Sequence, residues 1–281
     1  MTSRPSHLKS IFYLVLVLFL VSTASIAQEK KPVYLAFNYI KAKPGKGGKY
    51  VELIKNYSTK ILSYAVEVGA FSGWYFYELR MPTGSATEYD FVAVSVVNDF
   101  KYLFEEPGTY ADIMKKAIPG ISDETLKTIA DEFESSRISV KREIFTRTSD
   151  LVPNAVPAKY ARVDYNLSAE GKEADYIKME TELMAPIHKE IVAMGAYNDW
   201  ELYKKILPKD SKSDFDYIAV DFMNDINTIV NLNYSAIAKK TMPDVDLKNM
   251  WSTVGATRRV VRGEIWELVE YVDSKKKFTF K

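Results

Sequence analysis

The stretch FVAVSVVND, residues 91–99, recurs 126 positions later as YIAVDFMND, residues 217–225. Around these two stretches, residues 34–99 align with residues 160–225 without a gap, and eighteen of the sixty-six aligned pairs are identical. Self-similarity over such a length indicates two copies of one structural unit in the chain.

The residue patterns within the first copy predict the element order βαββαβ. PVYLAFNYI (32–40) has the alternating pattern typical of a strand and is rich in β-branched and aromatic residues, so we predict a strand there. The segment 49–69 carries apolar residues at helical spacing, which predicts a helix. GWYFYELRMP (73–82) and YDFVAVSVV (89–97) predict two more strands, and after a helical stretch RISVKREIF (137–145) predicts the fourth. This order is that of the ferredoxin-like split βαβ unit.

The beginning of the chain has the pattern of an export signal. Arg4 and Lys9 precede an apolar run at 11–21. Small residues, Ser25 and Ala27, occupy the third-last and the last position before a predicted cleavage site after Ala27. The run is too short to be a convincing membrane span. We therefore expect a periplasmic or secreted protein that has no membrane span once the signal is removed.

These patterns divide the chain into five parts. They are a signal peptide at 1–27, a first ferredoxin-like repeat at 28–147, a linker at 148–159, a second ferredoxin-like repeat at 160–273 and a basic tail at 274–281. The linker contains two prolines and shows no periodicity, which is typical of a connecting segment.

Cysteine content and charge exclude several classes of function. The chain contains no cysteine, so a disulfide framework, a thiolate metal site and a cysteine nucleophile are all excluded. Removal of Arg4 and Lys9 with the signal changes the formal net charge from +1 to −1. A near-neutral chain argues against nucleic acid or an anionic membrane as the main partner.

A single four-stranded sheet of this kind covers one face with its helices and leaves the other face bare. Two copies in one chain can pack their bare faces together into a closed barrel with the helices outside. The element order and the tandem copies resemble the dimeric α+β barrel superfamily, with a tandem duplication in one chain replacing the dimer. The resemblance implies an α+β fold that pairs the repeats as an intramolecular pseudo-dimer. Members of that superfamily include cofactor-free monooxygenases, haem-dependent chlorite dismutases and dye peroxidases, so the resemblance alone implies no single reaction.

Strand alternation predicts a candidate site in the second copy. One set of side chains, exemplified by Val163 and Val220, is assigned beneath the helices, and the other set is assigned to the barrel interior. The interior set contains the candidate ligand-binding residues, which are Arg162, Asp164, Asp221, Arg262 and Glu264 with the aromatic residues Tyr160, Trp200 and Tyr217. Trp74 of the first copy is assigned as a further wall. The counterparts of the charged residues in the first copy are Ala36, Asn38, Ser95, Lys141 and Glu143.

Buried charges need partners or a ligand, because an unpaired charge is costly to bury. The sequence allows two interpretations of the charged set: a salt-bridge lattice across a wet barrel, or a pocket for a small polar or aromatic molecule. The second interpretation predicts a small-molecule-binding protein or a cofactor-independent, monooxygenase-like enzyme. An alternative is a non-catalytic structural or interaction protein built on the same scaffold.

His188 is the only histidine outside the predicted signal peptide, and haem ligation by this residue is a minor alternative. No multi-histidine zinc site is possible with a single histidine. The sequence therefore predicts no cofactor and no metal.

Overall fold

Eight strands alternate with helices along the chain. The computed structural model describes residues 31–81, 88–105, 108–152, 156–209 and 213–274. The strands are β1 (Tyr34–Ala42), β2 (Gly73–Met81), β3 (Phe91–Val97), β4 (Arg137–Asp150), β5 (Tyr160–Ser168), β6 (Asp199–Leu207), β7 (Tyr217–Met223) and β8 (Arg258–Asp273). The first three strands of each half begin 126 residues apart, as the sequence alignment predicts.

The eight strands close into one barrel in the order β1-β3-β2-β8-β5-β7-β6-β4. Every neighbouring pair is antiparallel. Each half contributes a four-stranded ferredoxin-like sheet, and the halves meet at two seams, where β2 pairs with β8 and β4 pairs with β6. The predicted fold class, an α+β barrel made of two βαββαβ units, is therefore confirmed.

The helices lie outside the barrel. They are α1 (Gly47–Leu53), α2 (Thr59–Glu67), α3 (Tyr110–Ala117), α4 (Asp123–Ser136), α5 (Glu173–Lys178), α6 (Ala185–Ala193), α7 (Thr228–Asn231), α8 (Tyr234–Thr241) and α9 (Leu247–Thr257). A π-helical turn at Ile54–Ser58 joins α1 to α2, and a second one at Met179–Met184 joins α5 to α6. A short 3₁₀ helix occupies Phe100–Leu103.

The barrel interior is a packed core to which both halves contribute. Leu35, Phe37 and Val94 of the first half belong to one buried cluster with Val163 and Val220 of the second. At one end this core is polar and nearly symmetric. The polar contacts there include Arg262, whose guanidinium lies 3.7 Å from the centre of the Tyr165 ring, and Lys141, whose Nζ lies 4.8 Å from that of the aligned Tyr39.

The orientation predicted for three strands of the second half is wrong. Val163 and Val220, which the sequence assigns beneath the helices, lie in the barrel interior. Trp200 and Tyr217, which it assigns to the interior, pack against the helices instead. The reason is that each face of these strands carries large apolar side chains beside polar ones, so alternation shows which residues share a face but not which face turns inward.

Some sequence predictions fall outside the described residues, namely the signal peptide at 1–27 and all but the first residue of the tail at 274–281. Strand β4 continues to Asp150, so the first three residues of the predicted linker are strand. Within the described ranges, no helix combines the length and the apolar character needed to cross a membrane.

Candidate functional site

A cavity of about 310 Å³ lies between the outer face of the second half's sheet and its helices. Strands β5, β6 and β7 form its floor, and residues of the π-helical turn, α6, α8 and α9 form its walls. The lining residues are Arg162, Asp164, Glu180, Met184, His188, Trp200, Ala219, Asp221, Tyr234, Trp251 and Arg258. The cavity therefore combines aromatic rings with charged groups of both signs.

The strand register brings the floor residues together. Arg162 of β5 lies directly opposite Asp221 of β7, and Asp221 in turn lies opposite Trp200 of β6. Residues paired in this way on one face of neighbouring strands have Cβ atoms about 5 Å apart. Three side chains that are distant in sequence thus become one polar and aromatic cluster.

The structure divides the predicted ligand-binding residues between two places. Arg162, Asp164, Trp200 and Asp221 line the helix-side cavity. The prediction that all eight residues converge inside the barrel is wrong, because three strands turn the opposite face inward, as described above. The remaining members lie elsewhere: Tyr160 and Tyr217 in the helix-side core, and Arg262 and Glu264 in the barrel interior.

Trp74, the further predicted wall residue, is also placed elsewhere. Its ring stacks on that of Phe76 in the helix-side core of the first half, with 5.9 Å between the ring centres. It therefore has no contact with the cavity of the second half.

Two arginines of the cavity are paired with carboxylates. Arg162 binds Asp164 through two contacts, Nη2 to Oδ2 at 2.8 Å and Nε to Oδ1 at 3.3 Å. Arg258 Nε lies 3.1 Å from Glu180 Oε1 and forms an ion pair with it, although the geometry is not that of a hydrogen bond. The Nη1 of Arg258 donates to Asn166 Oδ1 at 2.6 Å. Within the charged set named from the sequence, Arg162 and Asp164 thus form an ion pair, but on the helix side of the sheet rather than across the barrel, and Asp221 belongs to neither pair.

Asp221 is a buried carboxyl group of the cavity with one hydrogen-bond donor beside it. It is 7% exposed, and the Tyr197 hydroxyl donates to its Oδ2 at 3.1 Å. Burial raises the pKa of Asp221 to about 7, although the nearby Arg162 opposes the rise. The Tyr197 hydroxyl also lies 2.7 Å from that of Tyr234, which extends the hydrogen-bonded chain along the cavity wall.

His188 lies beside Asp221 as a neutral imidazole. Its ring stacks on that of Trp200, with 4.9 Å between the ring centres and 13° between the planes. Burial, with Arg258 and Arg162 nearby, lowers the pKa of His188 to about 3. Its Nδ1 lies 3.9 Å from Asp221 Oδ1 and is buried without a hydrogen-bond partner.

Sequence reasoning missed several lining residues, among them Glu180, Tyr234 and Arg258. Glu180 could have been noticed, because it aligns with Ile54 of the first half and replaces an apolar residue on the buried side of a helix. His188 similarly aligns with Leu62 and was considered only as a haem ligand. Polar replacements of buried apolar positions in one of two repeats are therefore the signal that indicates this site.

Among the residues that the structure describes, no three histidine or acidic side chains are grouped so that they could hold a metal ion. The carboxylates of the cavity are instead distributed among separate contacts with arginine and tyrosine.

Solved structures of low sequence identity are similar to this one over most of the chain. A candidate monooxygenase from Fusobacterium nucleatum subsp. nucleatum ATCC 25586 is 9% identical with a TM-score of 0.52, over 88% of this chain and 96% of that one. A candidate monooxygenase from Lactobacillus acidophilus NCFM is 9% identical with a TM-score of 0.51, over 87% of this chain and 97% of that one. A dye-decolorizing peroxidase from Bacteroides thetaiotaomicron VPI-5482 is 9% identical with a TM-score of 0.46, over 85% and 93%.

These similarities define the class of fold, the dimeric α+β barrel, here closed within one chain. At such low identity they carry no reaction or ligand over to this chain. No protein-family model matches the sequence, and no curated protein matches it.

Proposed function

We propose that the helix-side cavity of the second half binds a small polar or aromatic molecule. The protein would then be either an exported binding protein or a cofactor-independent enzyme of the monooxygenase-like kind. The observation that carries this proposal is the pair formed by His188 and Asp221, two buried polar groups on an open cavity that do not satisfy each other.

A ligand would supply what this pair lacks. An unpaired buried nitrogen costs about 1–3 kcal/mol, and a ligand hydroxyl or N–H that donates to His188 Nδ1 would recover part of that cost. Asp221, with a pKa of about 7, can accept a proton from a bound molecule or return one near neutral pH. The Trp200 and Trp251 rings offer apolar surface for an aromatic ligand.

The test compares ligand retention by matched variants. Protein purified from its native host is analysed by mass spectrometry under non-denaturing conditions and again after denaturation. We expect a small molecule with the wild type and at least a tenfold loss with Asp221→Ser, which restores the residue found at Ser95 of the first half. Glu267→Gln, at a surface ion pair with Arg80, is the control and should retain the molecule.

If wild type and Asp221→Ser retain the same molecule in the same amount, Asp221 has no part in binding. If neither retains a molecule, and neither is stabilised against heat by fractions of the host's small molecules, the alternative of a non-catalytic scaffold is favoured.

Haem binding through His188 is the second candidate. In its favour, the imidazole is neutral and lines the cavity, as an axial ligand must. Against it, the two arginines that could bind haem carboxylates already have acidic partners. An absorption spectrum separates the two candidates. A Soret band in the wild type that is lost in His188→Leu would show that the ligand is haem rather than another small molecule.

We also propose that the chain is exported and cleaved after Ala27, so that the working protein is periplasmic or secreted. N-terminal sequencing of the protein from its host should begin at Gln28, and an unprocessed N-terminus would contradict the proposal.

We propose further that the two halves arose by tandem duplication. The ungapped repeat of residues 34–99 at 160–225, and the occurrence of a π-helical turn at the same place in each half, support it. Sequences of relatives that carry a single repeat and form dimers would test it.

A further inference from the structure

A second cavity, of about 240 Å³, opens into the barrel interior at the end lined by residues 156–158. The second sheet separates it from the helix-side cavity. Val220 lines the barrel cavity, and its neighbour Ala219, on the opposite face of the same strand, lines the helix-side one. The two cavities can therefore be altered independently through adjacent residues.

Both halves contribute to the walls of the barrel cavity, which carry many apolar side chains. Aromatic rings of Phe37 and Trp266 complete them. The aligned wall positions include Leu35 with Ala161, Val94 with Val220, and Tyr77 with Tyr203. A space of this size and character suits a ligand of one or two rings or a short branched chain.

The charged groups Arg147 and Glu201 lie on the side of this cavity where β4 pairs with β6. Glu201 aligns with Tyr75, and Arg147 aligns with Leu268, so each charge replaces a ring or an aliphatic chain of the other half. Arg147 Nη2 lies 3.2 Å from Glu201 Oε1, and Nη1 lies 3.4 Å from Asp150 Oδ2. The Arg147 Nε is buried without a hydrogen-bond partner.

The Tyr77 hydroxyl is a second group available to a ligand. Tyr77 is 6% exposed, it lines the cavity, and within the described part of the chain its hydroxyl has no hydrogen-bond partner. Glu201 is also buried, which raises its pKa to about 8 in spite of Arg147. The raised pKa weakens Glu201 as a charge partner of Arg147 at neutral pH, while Asp150 stays in contact with the same guanidinium.

By contrast, Asp199 is already engaged. Its Oδ1 accepts hydrogen bonds from the backbone N–H groups of Leu151, Val152 and Trp200 at 3.2, 2.8 and 2.7 Å. Asp199 therefore fixes the chain between the halves. The donors that remain for a ligand are the Arg147 Nε, since both Nη atoms of Arg147 contact carboxylates, and the Tyr77 hydroxyl.

We propose that this end of the barrel is a second binding site, separate from the helix-side cavity. It takes a small, mainly apolar molecule that carries a hydrogen-bond acceptor, a carboxylate or an amide carbonyl, at one end. The apolar part fills the space between Val94, Val220 and Trp266, and the acceptor binds Arg147 and Tyr77.

The test uses three naphthyl probes with the full-length mature protein in isothermal titration calorimetry. 2-Naphthoate and 2-naphthamide should bind saturably, and 2-naphthylmethylammonium, a cationic donor, should bind at least tenfold more weakly. Val220→Phe fills the cavity and should weaken both binding probes at least tenfold. Ala219→Phe, which fills the helix-side cavity, should change their affinity less than threefold.

Two further variants complete the test. Ala161→Leu fills the same cavity from β5 and replaces Val220→Phe if that variant does not fold. Tyr77→Phe should weaken 2-naphthoate and 2-naphthamide about three- to tenfold while circular dichroism remains that of the wild type. The proposal is overturned if no naphthyl probe binds, if the cation binds as well as the acceptors, or if Ala219→Phe rather than Val220→Phe removes binding.

Discussion

Single residues decide where this protein departs from a symmetric barrel. His188 takes the place of Leu62, Asp221 that of Ser95, and each lies in the helix-side cavity. Each replacement opposes folding at the pH where its group is charged in the unfolded chain, acidic pH for His188 and neutral pH for Asp221, because burial disfavours the charged form of both groups. Such replacements are typical of positions kept for a ligand rather than for stability.

His188→Leu should make the protein more resistant to acid. Burial and the facing Arg162 and Arg258 lower the folded-state pKa of His188 to about 3, against about 6.5 in an unfolded chain. Between these values the unfolded state binds the extra proton, so wild-type stability falls as the pH drops from 6.5 towards 3. The variant lacks this loss, and its free energy of unfolding relative to wild type should rise by about 3 kcal/mol between pH 8 and pH 4.

Urea denaturation at pH 8, 6 and 4 measures this difference. Because His188 is the only histidine among the described residues, the difference has no other imidazole source. A difference that stays constant with pH would show that His188 is solvated and titrates normally.

At the scale of elements, both halves use the same devices at the same positions. The first long helix of each half contains a π-helical turn and ends at a glycine with positive φ, Gly69 at 76° and Gly195 at 75°. A left-handed residue at a helix C-terminus favours glycine, because a Cβ is strained there. The glycine that recurs at the aligned position therefore reflects the same left-handed backbone conformation in both halves.

Gly195→Ala should destabilise the protein by about 1 kcal/mol. A Cβ at this position has no neighbouring atom within 4 Å, so the cost comes from the backbone conformation alone. Gly255→Ala is the matched control, since Gly255 also has open space, lies within helix α9 and has no positive φ. Thermal unfolding of the two variants measures the contrast, and an equal or larger loss with Gly255→Ala would contradict the argument.

At the scale of the whole molecule, the two halves share one polar centre inside the barrel. Glu264 of the second half accepts hydrogen bonds from Tyr89 of the first half at 2.7 Å and from Trp266 Nε1 at 2.9 Å. Arg262 Nε lies 3.3 Å from the same carboxylate. Contacts of this kind are satisfied only when both halves are folded together.

Glu264→Gln should cost roughly 2–4 kcal/mol of stability, because it removes the buried charge partner of Arg262, leaving only the exposed Asp214, and takes a charged acceptor from a buried cluster. Glu267→Gln, which weakens the surface pair with Arg80, should cost less than about 1 kcal/mol. Guanidinium chloride denaturation of both variants measures the costs. Equal small losses would show that the polar centre adds no net stability.

A first half expressed alone, residues 28–147, should associate or aggregate. Separation leaves β2 and β4 without their partners β8 and β6, and it exposes the inner face that carries Leu35, Phe37 and Val94. An apolar face with open strand edges is prone to self-association. Light scattering after size-exclusion chromatography measures the mass, and a cooperative monomer would contradict the expectation.

The element order, the repeat and the α+β barrel could be predicted from the sequence. Apolar periodicity reports the local secondary structure, and an ungapped internal match reports the repeat, so neither requires knowledge of tertiary contacts. The candidate site could be predicted only in part. Asp221, Arg162 and Trp200 were expected to share a face, and they do, because a strand has a period of two. Which face turned inward was decided by closure of the barrel, since large apolar side chains lie on both faces, Val163 and Val220 on one and Trp200 and Tyr217 on the other.

The convergence of His188, Arg258 and Asp221 on one cavity also came only from the tertiary structure. These residues belong to a helix and two strands that are far apart in the chain, and no local pattern records their distance. The sequence by itself thus determined which residues share a face and how often the unit repeats. The tertiary structure alone decided which face becomes core and which becomes cavity, because that choice depends on contacts between elements.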